Sequence, residues 1–446
     1  MKTKRVIKAV VFVLCFVLLL GAVSELFVMH TEPGYQNIRG FYKQKKNSLD
    51  AIYIGSSNCF TYWNSAVGWS EYGIAVYPYA ANKLLFEGTE YIIRDCRKTQ
   101  PDAKFIVNIN TLMGETMEMD EIHYTTTSMP YSMNRLRLVS HLCRIGGFGF
   151  WESLEYYFPI IRFHGNYQEL LPSRLLYKND GFKGASTGEP YLRIVTDVSG
   201  VYSNSDAVSE LPEHLTASVN SLLDYCDQSN VEVTFVTVPQ ARTEEDLMLY
   251  NGVNQLLESR GYPVLNLMEK TDDMGIDRTF DFYNTQHTNI HGSIKYTHYM
   301  ARYLIETYGF TDKREDENYS DWNEMAPRYQ AQVANRVLDI EYDITHRDFE
   351  LAAPENLQLA DGVLTWDASE GAEYYRVYKK TSAQNAWTLA ADQLTQTEFV
   401  DEAYAETDIY TVVPVKLADG EAYYGSFLYT GIPVNENDIG SVEDEA

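Results

Sequence analysis

From residue 51 to about residue 310 the chain alternates short β-rich apolar runs with longer stretches of helical periodicity. This beat leaves few folds open, because strands separated by a helix lie parallel and a parallel sheet needs helices on both faces. The expected strands are 51–54, 74–77, 104–110, 231–238 and 263–267, and the expected helices are 87–96, 212–226, 244–259 and 290–308. The first, third and fourth strands run into Gly55-Ser56-Ser57, Asn110-Thr111 and Pro239-Gln240. The carboxyl edge of the sheet is therefore its polar edge, which is where open α/β sheets place their chemistry.

Two stretches on that scaffold carry reactive side chains. Ala51-Ile-Tyr-Ile-Gly-Ser-Ser-Asn58 reads as a buried strand whose Gly55 lets the backbone turn, lifting Ser56 or Ser57 toward a following helix. Asp281-Phe-Tyr-Asn-Thr-Gln-His-Thr-Asn-Ile-His-Gly292 sets His287 just before a helix start, as a catalytic His is usually held. A serine hydroxyl and an imidazole are the minimum for nucleophilic acyl transfer, the base taking the hydroxyl proton and returning it to the leaving group.

These two blocks resemble the SGNH (GDSL-like) hydrolase superfamily, and in particular its membrane-anchored bacterial members that handle acyl esters on cell-envelope polymers. Gly55-Ser56-Ser57 stands where the superfamily has Gly-Asp-Ser, so the resemblance makes Ser57 the nucleophile. Asn284-Thr-Gln-His287 stands where it has Asp-x-x-His, so His287 is the implied base and Asn284 occupies the place of the acid. The nearest preceding acid is Asp281, six residues from His287, a separation a non-helical loop can accommodate. The acid of a triad fixes the His tautomer and stabilises the imidazolium, and its replacement by Asn in a serine protease costs roughly 10⁴ in turnover. Three readings follow: Asp281 swings in, Asn284 merely orients the ring, or the site is weak or dead. For the oxyanion the resemblance implies the Ser57 N–H, an Asn after the third strand, matched by Asn110, and a donor after the second strand, where Asn82 stands in place of a Gly.

Residues 111–210 leave the strand–helix beat and read as a partly helical insertion overhanging the active edge. Its Trp151, Tyr156, Tyr157 and Phe158 either face substrate or pack the insertion onto the sheet. The α/β domain is expected over 31–325. Residues 326–351 form a linker or docking segment, within a charged, Tyr-rich stretch that begins near residue 311. Short strands separated by polar turns then read as a β-sandwich over 352–434. This part resembles a fibronectin type III module, with Trp366 as its core tryptophan and Tyr410 as its strand-F tyrosine. Residues 435–446 form an acidic tail.

Ahead of all this, Lys2, Lys4, Arg5 and Lys8 precede an apolar run from Ala9 to Met29, broken only near Ser24-Glu25. That is a signal anchor over residues 1–30 or a signal peptide, with Ala22-Val23-Ser24 as a cleavage site. In either case the basic end stays in the cytoplasm and the rest is exported. The expected location is the cell membrane, single-pass, with the bulk of the chain outside. Five scattered cysteines, at 15, 59, 96, 143 and 226, do not make a disulfide framework.

A net charge of −27 argues against a nucleic-acid partner, since phosphate binding needs clustered Lys and Arg. No metal and no cofactor is expected: His287 and His291 are four apart, but no third ligand is placed beside them. His123, His141, His164 and His298 are read as surface or packing residues. The combined expectation is an extracytoplasmic esterase or O-acyltransferase working on acyl groups, most simply acetyl, of an envelope polysaccharide or teichoic-acid-like polymer. The resemblance to the teichoic-acid D-alanylation (DltD-like) branch keeps transfer open and implies a membrane-bound O-acyltransferase as a partner. The alternative is a catalytically degenerate surface protein of the same fold that binds glycan or a protein.

Overall fold

The computed structural model describes residues 2–28, 33–112, 119–169, 181–188, 191–192, 196–200, 205–268, 270–330, 333, 351–360, 362–380, 388–405, 407–418, 421–425, 427–428 and 432–433. The acidic tail, most of the expected linker and part of the insertion lie outside these residues.

Helix α1 (Lys2–Ser24) spans about 35 Å at 1.5 Å per residue. Its apolar side chains are bare, with Phe12 71% and Leu18 73% exposed. The segment Lys4–Phe27 is long and apolar enough to cross a membrane, as an anchor or a signal sequence alike. At its end Glu25 pairs with Arg39 and lies 3.3 Å from the buried Arg135, tying the helix terminus to the folded body.

Helix α2 (Pro33–Phe41) leads into the first βα unit: β1 (Ala51–Gly55), α3 (Ser57–Tyr62) and α4 (Ser65–Tyr72). Next come β2 (Val76–Ala80), α5 (Thr89–Cys96) and β3 (Lys104–Asn108). In the region of the expected insertion lie α6 (Met119–Thr126), α7 (Met133–Ile145), α8 (Phe150–Tyr157) and α9 (Ile160–Phe163). The α/β pattern resumes with α10 (Glu213–Ser229), β4 (Val233–Thr237), α11 (Glu244–Ser259), β5 (Val264–Asn266) and α12 (Thr271–Met274). A hairpin of β6 (Phe282–Asn284) and β7 (His287–Thr288) precedes α13 (Ile290–Tyr308).

The five strands β1 to β5 pair in parallel in the order β2-β1-β3-β4-β5. Alternate residues of each strand feed two cores. Ile52, Ile54, Phe105, Val107 and Phe235 pack beneath α2, α5, α10 and α7. Ala51, Tyr53, Ile106 and Val236 pack beneath α13 through Tyr296, Met300 and Leu304. Strand β2 begins two residues later than the periodicity suggests and contains Pro78, tolerable because β2 is the sheet edge. Residues 320–330 are helical and bury Trp322, Met325, Ala326 and Tyr329 beside Trp69, so the first part of the Tyr-rich stretch docks onto the α/β core.

Beyond residue 351 the structure is all-β and antiparallel. One sheet holds β8 (Gln358–Ala360), β9 (Val363–Thr365) and β12 (Glu398–Val400). The other holds β10 (Tyr374–Lys380), β11 (Thr388–Leu394), β13 (Ile409–Ala418) and β14 (Glu421–Tyr424), with β15 (Ile432–Pro433) pairing β13. Leu364 and Trp366 from one side and Tyr375, Val377, Tyr410 and Val412 from the other share a core, so the two sheets face each other.

Candidate active site

In the order β2-β1-β3-β4-β5 the chain reverses direction of travel between β1 and β3, and the crevice outside their carboxyl ends is the topological switch point. Ser57, the first residue of α3, stands there. Gly55 makes the tight exit from β1 workable, since a Cβ would come 2.7 Å from Cys59 Sγ and 2.8 Å from Asn108 Cβ. Of the two serines, Ser56 is buried and its Oγ donates to Asn58 Oδ1 at 2.8 Å. Ser57 is half-buried, and its Oγ lies 2.6 Å from His287 Nε2. The Ser57 N–H, at the start of a helix, has no intrahelical acceptor.

The hairpin brings His287 to Ser57. Asn284 and His287 face each other across the two-residue turn Thr285-Gln286, so their side chains meet as a cross-strand pair. Cross-links to the serine helix fix the hairpin: Asn58 Nδ2 donates to Gln286 O at 3.0 Å, and Thr288 Oγ1 to Thr61 O at 2.6 Å. Tyr283 stacks on the imidazole with centroids 5.3 Å apart and planes 6° apart.

Asn284 Oδ1 accepts from the backbone N–H groups of Gln286 at 2.9 Å and His287 at 3.0 Å. Those donors cannot be reversed, so the amide oxygen faces the ring. The 3.0 Å contact from His287 Nδ1 must then be Nδ1–H donating to Asn284 Oδ1. That tautomer leaves the Nε2 lone pair to accept the Ser57 proton. Asn284 thus supplies the orienting half of a triad acid's work and none of its charge. Burial, reinforced by the charge of Arg242, pushes the His287 pKa down to about 4 and keeps the ring neutral.

Asp281 is placed elsewhere. Its carboxylate is buried, accepts from Lys295 Nζ at 2.7 Å and Asp277 N at 2.6 Å, and makes no contact with His287. Burial raises its pKa against these stabilising bonds. Its carbonyl accepts from Asn289 N at 3.0 Å, while Gly292 permits the close approach, a Cβ there coming 2.4 Å from Asp281 O. Asp281 therefore clamps the hairpin onto α13.

Asn110 is also committed: Nδ2 donates to Val238 O at 3.0 Å and Oδ1 accepts from Val238 N at 2.7 Å. It extends the β3–β4 pairing past the strand ends, and its second Nδ2–H meets the Gln240 amide oxygen at 2.5 Å, so both of its donors are taken. Asn82 lines a separate cavity of about 230 Å³ with Tyr35, His123 and Arg162, and none of the residues that line it belongs to the Ser57–His287 pair. His287 lies in the hairpin and His291 in α13, so the two do not share a helical face. His291 is likewise pushed down to about 4 by burial. In the insertion, Tyr156 is fully buried and Trp151 is 80% exposed. His123 packs on Tyr156 and Phe163, and His298 contacts Tyr72 OH at 2.9 Å.

Sequence reasoning missed Arg242. It follows β4, in the loop tied to the hairpin by Ala241 N donating to Thr285 O at 2.7 Å. Its Nη2 donates to Asn110 O at 3.1 Å. With the Gln240 amide oxygen turned toward the guanidinium, which can only donate, that oxygen accepts from Nε at 2.7 Å and Nη2 at 2.8 Å. No motif marks it, since nothing local in Pro239-Gln-Ala-Arg242 points to a histidine 45 residues on.

The protein is a parallel α/β unit joined to an antiparallel β-sandwich, with an apolar N-terminal helix. No family model matches the chain, and no curated protein matches it. Among solved structures the chain is similar to a Fn3-like protein from Clostridium thermocellum, at 26% identity over 18% of this chain and 90% of that one, with a TM-score of 0.15.

Proposed function

We propose that this chain is a membrane-tethered, extracytoplasmic serine esterase or O-acyltransferase of the SGNH type, acting on O-acetyl or similar acyl groups of a cell-envelope polysaccharide. The observation that carries the reading is the Ser57 Oγ to His287 Nε2 contact of 2.6 Å, with Nδ1 bonded to Asn284. Ser57 Oγ attacks the acyl carbon while its proton passes to Nε2. The ester C–O bond breaks, and the leaving sugar oxygen takes that proton. Water or a second sugar hydroxyl, deprotonated by His287, then attacks the acyl-serine and restores Ser57. The Ser57 N–H is the oxyanion donor. The exposed α1 supports tethering, and a membrane-bound O-acyltransferase is the partner that transfer would need.

Labelling by a fluorophosphonate probe tests the nucleophile, because it requires an activated serine. Labelling of the wild type that is lost in Ser57→Ala and in His287→Ala supports the reading; no labelling of the wild type overturns it. The absence of a carboxylate on His287 favours a second reading, a surface protein of the same fold that binds an acylated glycan without turning it over. Under that reading p-nitrophenyl acetate hydrolysis is the same with and without Ser57.

A further inference from the structure

Arg242 follows Ala241, whose N–H donates to Thr285 O at 2.7 Å in the turn before His287, so a cation stands beside the hairpin that holds the imidazole, in a chain of net charge −27. Three of its N–H directions are taken by Gln240 and Asn110 O, and Tyr250 lies beneath it at 5.9 Å. Among the described residues no carboxylate pairs with the guanidinium, whose other polar neighbour is the Tyr250 hydroxyl. The acids that follow do not reach it: Asp246 closes the cap of α11 through Thr243 N, and Glu244 and Glu245 are exposed. The residue bonded to the imidazole is a neutral amide. The site therefore holds a fixed, half-buried positive charge with a nucleophile and a base, and among the described residues no negative charge is bonded to any of them. A guanidinium pinned through Nε and Nη2 keeps Nη1 as a charge-assisted donor for a carboxylate or phosphate.

We infer that Arg242 is a specificity residue that binds an oxyanion, a carboxylate or a phosphate, carried by the substrate next to its ester, so that the substrate supplies the negative charge the protein omits. This inference rests on the serine-esterase reading for its turnover consequences, and on Arg242 alone for its binding consequences. An anion seated on Arg242 offsets the charge that opposes protonation of His287, so the base strengthens when the right substrate is present.

The test uses the full chain in detergent and two matched ester pairs: 1-acetylglycerol against 1-acetylglycerol 3-phosphate, and methyl O-acetylglucoside against the corresponding O-acetylglucuronoside. The wild type should favour at least one anionic member by about tenfold to a hundredfold in kcat/KM, the range for one charge-assisted hydrogen bond. Which pair shows it identifies the oxyanion as phosphate or carboxylate. Arg242→Gln should collapse that ratio, mostly through KM, and Arg242→Lys should keep much of it. Two results overturn the inference: no preference in the wild type, or both variants slowing the neutral and anionic esters equally, the mark of a residue that only braces the Asn110 loop. Should no ester show Ser57-dependent turnover, the esterase reading falls, and calorimetric binding of glycerol 3-phosphate and of glucuronate to the Ser57→Ala chain decides the rest. Binding lost on Arg242→Gln sustains the anion site; no binding of either probe ends it.

Discussion

The switch-point edge of the α/β sheet and the charged corner of the β-sandwich use similar side chains to opposite ends. In the sandwich, Lys379 Nζ contacts Asp401 at 2.8 Å and Asp408 at 2.9 Å, and Tyr410 OH donates to Asp401 at 2.7 Å. Arg376 pairs with Asp392 at 2.9 Å and lies over the Tyr424 ring. Both of these cations have an acid. At the sheet edge, Arg242 has none among the described residues, His287 is held neutral, and Ser57 is half-exposed. A polar cluster that serves the fold is saturated by its own members, whereas one suited to chemistry keeps a lone pair, a proton and a charge for an incoming molecule.

The largest effect should come from removing the unsaturated side. Ser57→Ala is expected to lower turnover of p-nitrophenyl acetate by at least about 10³-fold, with the thermal midpoint nearly unchanged because the lost oxygen is half-exposed. Lys379→Ala should do the reverse. It leaves Asp401 and the buried Asp408 uncompensated, which costs about 3 kcal/mol of stability, visible as a lower denaturation midpoint with small-ester turnover retained. If both variants lose stability and activity together, the contrast between the two regions fails.

Asn284→Asp makes the sheet edge more like the sandwich corner by giving His287 a charge. Turnover should rise about tenfold or more, and the acid limb of the pH profile should move upward because the carboxylate favours the imidazolium. In the wild type His287 must be neutral to accept the Ser57 proton. Activity should therefore fall only as pH drops toward about 4 and stay level above it. A related trend concerns stability. His123, His287 and His291 are all held near 4 by burial, below the unfolded value of 6.5. Their unfolded forms take up protons first, so these groups favour the folded state fully above about 6.5, and that contribution is lost as pH falls toward 4. Thermal melts across that interval check the sign. The smallest effect is expected from deleting residues 352–446: less than about a threefold change on a small ester, since the Ser57–His287–Asn284 geometry involves none of those residues.

Where a local signal exists, the chain announces its structure. Helices α11 and α13 are found at their expected bounds because Thr243 and Asn289 cap their first turns and Gly309 ends the second in the left-handed region. Helix α4 had no such legibility: Ser65 to Trp69 are all buried, so no polar face gives the helical period. The shift of β2 to Val76–Ala80 is set by its register against β1, in which Ala51 pairs with Val76, a partner no single strand can specify.

The site divides in the same way. The approach of Ser57 to His287 has local signals, since Ser57 opens the helix just after β1 and Gly55, and His287 stands shortly before the start of α13. That Asn284 and not Asp281 reaches the ring was decided by the two-residue turn of the hairpin and by Lys295, which holds Asp281 from the far side. Asn110 looked like an oxyanion donor by position and became a bridge to Val238, while Arg242 carried no signal and ended beside the imidazole. The sequence by itself determined the strand–helix alternation, the apolar leader, the β-rich C-terminus and the residue types available at the sheet edge, since these follow from periodicity and composition. Only the tertiary structure decided which of those polar groups satisfy one another and which are left over, because hydrogen bonds between residues 128 to 230 positions apart depend on register and packing, not on local pattern.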